Sequence, residues 1–281
     1  MAATRIAKLE QYGLLQATGD DARVFLHAQL TNDIEHLAPG QARIAGWCSA
    51  KGRLLATFLV IPYAGGFLLQ LSRDLVPAVA KRLSMFILRS KVKLADVTSG
   101  WSQNGVWGPV EGELLSVHEA DGAVSVRMGE DRTLLLSPGA VGDRVTANVP
   151  ESDWTLAEVR AGRPLIVQAT QDHFVPQMVN LELAGGVDFR KGCYPGQEVV
   201  ARAQYRGAVK RRMVRLRGAA LQPGQELYSD DLPGQPSGTV VNAAGEEALA
   251  VLQTATVEAK AAVRAQPAAP PLEILPLPYA W

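Results

Sequence analysis

Cysteine is scarce in this chain: two residues, Cys48 and Cys193, among 281. That excludes a disulfide scaffold and points to a reducing compartment, hence the cytoplasm. Two thiols are also too few to hold an iron–sulfur cluster unaided, which takes about four thiolates. Histidine is as sparse, with His27, His36, His118 and His173 scattered and no pair at metal-ligand spacing, so no metal site is expected. Aromatic residues make up only 6% and no RNA-binding motif is present, so direct tRNA binding is not expected. No run of about 18 apolar residues occurs, so nothing spans a membrane and no membrane partner is expected. The opening MAATRIAKLEQYGLL lacks the apolar core of a signal peptide, and secretion is not expected. Charge excess is missing too: Lys+Arg 28 balance Asp+Glu 28, which rules out a histone-like or acidic-tail mode for the whole chain. Walker A, G-x-S-x-G and H-E-x-x-H are all absent.

What is there reads as a globular α+β protein. Hydrophobic residues reach 47% and charged residues 20%, and the length allows about one to three domains. Ala22, Phe25, Leu26, Gln29 and Leu30 have helical spacing, with a cap near Asp20. RIAGWCS and LLATFLVI are strand-like and joined by Ala50-Lys51-Gly52-Arg53. A turn at Tyr63-Ala64-Gly65-Gly66 leads into the strand FLLQLS. Leu75, Val76, Val79, Leu83, Phe86 and Ile87 form a helical stripe over 74–89, with Pro77 tolerated in its first turns. VKLADV follows as a strand. Strand, strand, helix, strand favours a split βαβ, α+β arrangement over a doubly wound sheet. Short strands with Gly-rich turns are expected over 104–136. WTLAEVRAG (154–162) reads as a helix stopped by Gly162 and Pro164. Beyond about 207, MVRLRG, ELYS, GTVVNAA and ALAVLQTA have barrel texture, and 265–278 is Ala/Pro-rich and extended. A boundary therefore falls near 205–210, dividing 1–205, itself of two subdomains, from a C-terminal β-barrel over 206–281.

Two features carry chemistry. In FVPQMVNLELAGGVDFRKGCYPGQEVVARAQYRG (174–207), Gly185, Gly186, Gly192 and Gly196 break any regular element and set Cys193 in a tight loop near Arg190, Lys191, Arg202 and Arg206. Positive neighbours favour a thiolate, although a lone Cys is more often a small buried hydrophobe. No general base adjoins it in sequence. Cys48, in an alternating apolar run, packs. The second feature is charge segregation. Residues 199–225 carry Arg202, Arg206, Lys210, Arg211, Arg212, Arg215 and Arg217 and no acidic residue. A second basic stretch holds Lys81, Arg82, Arg89, Lys91 and Lys93. Such strips are either local fields or solvated faces whose acidic partners lie elsewhere in the chain.

KGCYPGQEVVARAQYRG, preceded by VPQMVNLELAGGVDFR, resembles the signature of the YgfZ family of folate-binding proteins, relatives of the glycine-cleavage aminomethyltransferase. The likeness extends over most of the chain. TGDDARVFLHAQLTNDI, GWCSAKGRLLATFLV, MFILRSKVKLADV and the terminal LPLPYAW resemble further family blocks in the right order. The resemblance implies ferredoxin-like α+β domains and a C-terminal β-barrel around an opening that binds tetrahydrofolate or a one-carbon-loaded derivative. It also implies a role in the biogenesis or repair of iron–sulfur proteins, including tRNA-modifying iron–sulfur enzymes, as an accessory factor rather than a conventional enzyme. Iron–sulfur proteins or their assembly machinery are the implied partners. Cys193 matches the family's motif cysteine. Trp154 matches one folate-contacting tryptophan, and Tyr12 stands where the family has another, a departure that still leaves a ring able to stack. Glu182 takes the place of a pterin-edge carboxylate, with Gln177 a weaker candidate of the same kind. Arg202 and Arg206 would face the glutamate tail. Asp33, beside Asn32, is the nearest match to the acidic residue with which the aminomethyltransferase handles folate. The alternative to the accessory role is a folate-dependent aminomethyl transferase.

Overall fold

The computed structural model describes residues 4–139, 145–205 and 209–281. Arg206 lies outside them. In chain order the elements are β1 (Arg5–Lys8), β2 (Tyr12–Thr18), α1 (Ala22–Gln29), β3 (Arg43–Cys48), β4 (Leu54–Tyr63), β5 (Gly66–Ser72), α2 (Val76–Ser84) and β6 (Lys93–Asp96). Then come β7 (Trp101–Trp107), β8 (Val117–Ala120), β9 (Ala123–Arg127), β10 (Arg132–Pro138), α3 (Glu151–Arg160) and α4 (Gln197–Tyr205). The C-terminal part holds β11 (Arg211–Arg217), β12 (Glu226–Ser229), β13 (Pro236–Ala244), β14 (Glu247–Gln253), α5 (Thr254–Glu258), β15 (Val263–Arg264) and β16 (Pro271–Leu275).

The strands make two five-stranded sheets, ordered β3-β4-β5-β2-β6 and β1-β7-β10-β9-β8, and a closed barrel, β11-β14-β13-β12-β15-β16. The chain therefore has an α+β fold with a six-stranded C-terminal barrel. β4 and β5 are buried along nearly their whole length, which is why they read as continuous apolar runs. β9 and β10 mostly alternate buried and half-buried positions, as strands do with one covered face. Barrel closure leaves no free edge in that sheet. Its interior is filled by Val214, Leu216, Leu227, Val240, Ala250, Leu252 and their neighbours.

The chain falls into two compact units. One holds Met1–Ala45 and Phe58–Trp154, the other Gly46–Thr57 and Thr155–Trp281. The boundary expected near 205–210 lies inside the second unit, just before β11. Local readings shift in three places; one is α3, expected over 154–162 and found at Glu151–Arg160. The cap position of α1 is Asp21, and its carboxylate does not cap: Oδ2 accepts the Lys91 backbone N–H at 2.7 Å. The stripe read to residue 89 ends as helix at Ser84, and 85–90 are turns. There the Ser84 hydroxyl donates back to Ala80 O (2.8 Å), a bond that competes with helix continuation.

Candidate functional site

In the first unit, alternate residues of β7 put Trp101, Gln103, Gly105 and Trp107 on one face. Trp154, from α3, lies over Gly105. A Cβ there would come within 2.1 Å of the indole, so only glycine admits the ring. Trp107 meets Trp154 edge-on with centroids 5.7 Å apart, and the Arg132 guanidinium carbon sits 5.2 Å from the ring centroid. Trp154 is 2% exposed. Tyr12, at the start of β2, is fixed beside the same strand. The Gln103 amide donates to Tyr12 O at 3.0 Å, and Gln70 donates to Gln103 Oε1 at 2.9 Å. Tyr12, Trp101, Gln103, Lys8 and Arg73 line a small cleft of about 190 Å³. The structure thus brings both aromatic candidates to one face of β7, Tyr12 at a cleft and Trp154 packed.

Asp33 is the hub of an ion-pair cluster in the same unit. Its carboxylate is 3.1 Å from His27 Nδ1, 2.8 Å from His36 Nδ1 and 3.8 Å from Arg43. Burial pushes its pKa up, but the His36 hydrogen bonds and the charges of His36 and Arg43 outweigh that and hold it below the usual carboxylate value. Asn32 turns inward instead, donating to Ile44 O at 2.7 Å.

In the second unit, Pro176–Val179 form a 3-10 turn ended by Asn180 in the left-handed region (φ 53). This turn presents Gln177, Asn180 and Glu182 to β11. Arg212 of β11 donates to Gln177 O (3.0 Å), to Asn180 Oδ1 (3.3 Å) and to Glu182 Oε1. Glu182 is thereby enclosed; its side chain is 6% exposed. Burial raises its pKa, and the Arg212 hydrogen bond and charge only partly offset that. Gln177 is fully buried and spends its amide on Val200 O at 2.7 Å. Two acceptors remain over. Gln177 Oε1 and Glu182 Oε2 are buried without a hydrogen-bond partner, each at a cost of about 1–3 kcal/mol. Nearby, burial pushes the Tyr279 phenol up to about 12, and its hydroxyl donates to Gly162 O at 2.6 Å.

The same unit holds both cysteines. Cys193 is exposed, in irregular chain between the turns at 189–190 and 195–196. Its loop is seated at Gly196 (φ +79), where a Cβ would fall 2.4 Å from Ser49 O and 2.6 Å from Gly52 Cα. The turn beneath is thus the 49–52 connection that follows Cys48. Lys191 covers the Tyr194 ring, its ammonium 4.8 Å from the centroid, and Arg190 extends into solvent. Cys48 is buried, and its thiol is pushed up to about 12 by burial first and by the Asp172 charge second.

The basic strip resolves into pairs and remainders. Arg212 pairs with Glu182, Arg215 lies 3.9 Å from Glu247, and Arg217 pairs with Glu273 at 2.6 Å. Arg202, on the last turns of α4, is exposed, as are Lys210 and Arg211. Sequence reasoning had Arg212 as one cation among seven and did not single it out. Its partner Glu182 is 30 residues away, and no local pattern links them. The Gly105 platform under Trp154 was likewise invisible, since it depends on a contact across 49 residues.

No family model matches the chain. It is 31% identical over 301 residues to the tRNA-modifying protein YgfZ of Klebsiella pneumoniae, covering 96% of this chain and 91% of that one. To YgfZ of Photorhabdus laumondii it is 32% identical over 250 residues, covering 82% and 75%. Among solved structures, the glycine cleavage system aminomethyltransferase T from Bartonella henselae superposes with a TM-score of 0.71 at 16% identity, over 90% of this chain and 79% of that one. That likeness establishes the fold. With sequence identity above 30% to relatives covered over three quarters or more of their length, and with this fold, the chain belongs to the YgfZ family.

Proposed function

We propose that this chain binds a reduced folate, tetrahydrofolate or a one-carbon-loaded derivative. We propose further that it uses the folate with Cys193 in the biogenesis or repair of iron–sulfur proteins in the cytoplasm, tRNA-modifying iron–sulfur enzymes among them. The observation that carries the folate reading is the pair of buried, unpartnered acceptors, Gln177 Oε1 and Glu182 Oε2. A pterin ring offers adjacent N–H donors along one edge, and such an edge would satisfy groups that folding leaves unsatisfied. When bound, the folate supplies a carrier of one-carbon units. The chain's own part is to hold and orient it. Arg212 fixes Glu182, Asn180 fixes Arg212, and Gln177 is aimed by its bond to Val200 O. Arg202 supplies an exposed cation suited to a glutamate tail, a role also assigned to Arg206. Tyr12 and Trp154 are the aromatic contacts that the family resemblance implies. Cys193 supplies an exposed thiol for redox chemistry, transient ligation or persulfide handling.

Calorimetry with tetrahydrofolate and its mono- and polyglutamate forms tests this. The wild-type chain binds, Glu182→Gln weakens binding about tenfold or more, and removal of Arg202 lowers the preference for the longer tail. No heat with any of these folates refutes the reading. A second reading, aminomethyl transfer, is favoured by one observation: Asp33 is held ionised by its partners. Its test is formation of methylenetetrahydrofolate at enzymatic rates from a lipoyl-aminomethyl carrier and tetrahydrofolate, and we expect none.

A further inference from the structure

The first unit carries a surface that folate binding does not use. From Leu75 to Ala95 the chain holds Lys81, Arg82, Arg89, Lys91 and Lys93 and no acidic residue. All five cations are exposed. Among them runs Met85-Phe86-Ile87-Leu88, with Met85 66%, Phe86 43% and Leu88 89% exposed. No other four-residue stretch of the described residues exposes three large apolar side chains. The segment is ordered. Phe86 N donates to Leu83 O (3.1 Å), Ile87 N to Ser84 O (3.2 Å) and Ser90 N to Ile87 O (2.8 Å). Its exit is pinned to the start of α1, where Asp21 Oδ2 accepts from Lys91 N at 2.7 Å and Asp21 N donates to Lys91 O at 3.3 Å. At the tip, Leu88 sits at φ +46, a left-handed conformation unfavourable for a leucine. Folding therefore spends backbone strain to hold a leucine out in solvent.

We propose that this tip is a peripheral anchor for an anionic lipid surface, with Met85, Phe86 and Leu88 entering the headgroup layer and Lys81, Arg89 and Lys93 lying along it. Charge complementarity selects an anionic occupant. Lys91 is discounted because its ammonium lies 3.4 Å from Asp20; Asp20 and Asp21 are the carboxylates placed against the segment's base. Shape selects lipid over a protein groove. A groove reads a one-sided stripe at i, i+3 and i+4, whereas four consecutive apolar residues at a turn are apolar all round, which suits a fluid interface with a cationic rim. Such contact needs no spanning helix, and no helix among the described residues is long and apolar enough to be one. The expectation of no membrane partner rested on that criterion and does not bear on a surface anchor.

The test is co-sedimentation of the full chain with vesicles of pure phosphatidylcholine and with vesicles of phosphatidylcholine containing one-third phosphatidylglycerol. We expect about tenfold or more greater partitioning onto the anionic vesicles, lost at high salt. Leu88→Asp and Phe86→Asp, both at exposed positions, should abolish it, and Lys81→Glu with Arg89→Glu should do the same. An unchanged melting temperature for each variant separates lost docking from lost folding. Equal partitioning onto both vesicles overturns the proposal. So does binding that survives Leu88→Asp and Phe86→Asp, which would be headgroup attraction alone. Retention on an acidic polypeptide, poly-glutamate, with none on vesicles, overturns it in favour of a protein partner.

Discussion

The face of β7 in the first unit and the Arg212 cluster in the second are both nominated for a folate, and they are built in opposite ways. On β7, Trp154 is enclosed by Gly105, Trp107 and Arg132 and completes a packed wall. Around Arg212 every group is buried too, yet two acceptors are left with nothing to accept. The first arrangement completes a packed wall; the second leaves two acceptors whose cost the proposed ligand would offset. Burial by itself therefore does not nominate a site, whereas a buried acceptor with an unmet hydrogen bond calls for an explanation, at Gln29 Oε1 as much as here.

The largest effects should come from breaking either arrangement outright. Trp154→Ala leaves a cavity under Arg132 and should cost about 3–5 kcal/mol of stability, read by chemical denaturation. Arg212→Ala strands a buried carboxylate and should cost about 3–5 kcal/mol. The contrast sharpens with milder changes. Trp154→Phe keeps an aromatic ring against Gly105. If Trp154 serves the folate as well as the core, tetrahydrofolate affinity will fall along with stability; unchanged affinity would remove it from the site.

A smaller effect is expected at Glu182, and it depends on pH. Burial raises its pKa, so the folded chain holds that proton more tightly than the unfolded one. The stability it contributes is full below its ordinary value of 4.5 and is lost as pH rises through the raised value. Glu182→Gln should flatten this part of the melting temperature–pH curve. A wild-type curve identical to that of the variant would contradict the assignment. A pterin edge that donates to the ionised form should release a proton on binding within that window, visible as calorimetric heats that depend on the buffer. Least of all should change with Cys193→Ser. At an exposed loop position it should alter stability by less than about 0.5 kcal/mol and leave folate affinity intact. It should still fail to restore an iron–sulfur enzyme in a deletion strain, and full rescue would remove the thiol from the mechanism.

Much of this was legible in the chain. The strands, α1, α3 and the barrel follow from period-2 and period-3.6 patterning and from Gly and Pro punctuation. The Cys193 loop was announced by its glycines, and Gly196 turns out to be required by close contact with Gly52. What escaped was non-local. Phe86 and Ile87 extend the helical stripe, and only the turn after Ser84 shows that Phe86 leaves the core. The seven cations of 199–225 look alike in sequence, whereas Glu182, Glu247 and Glu273 sort Arg212, Arg215 and Arg217 from the exposed ones.

The unequal burial of the two cysteines has a practical consequence. With Cys48 enclosed and its thiol pushed up to about 12, a maleimide or nitroxide reagent at neutral pH will find one nucleophile, Cys193. The native chain is then a singly labelled protein without mutagenesis. A spin label or fluorophore placed there would sit in the loop beside Lys191 and Tyr194 and report any change in its surroundings in real time.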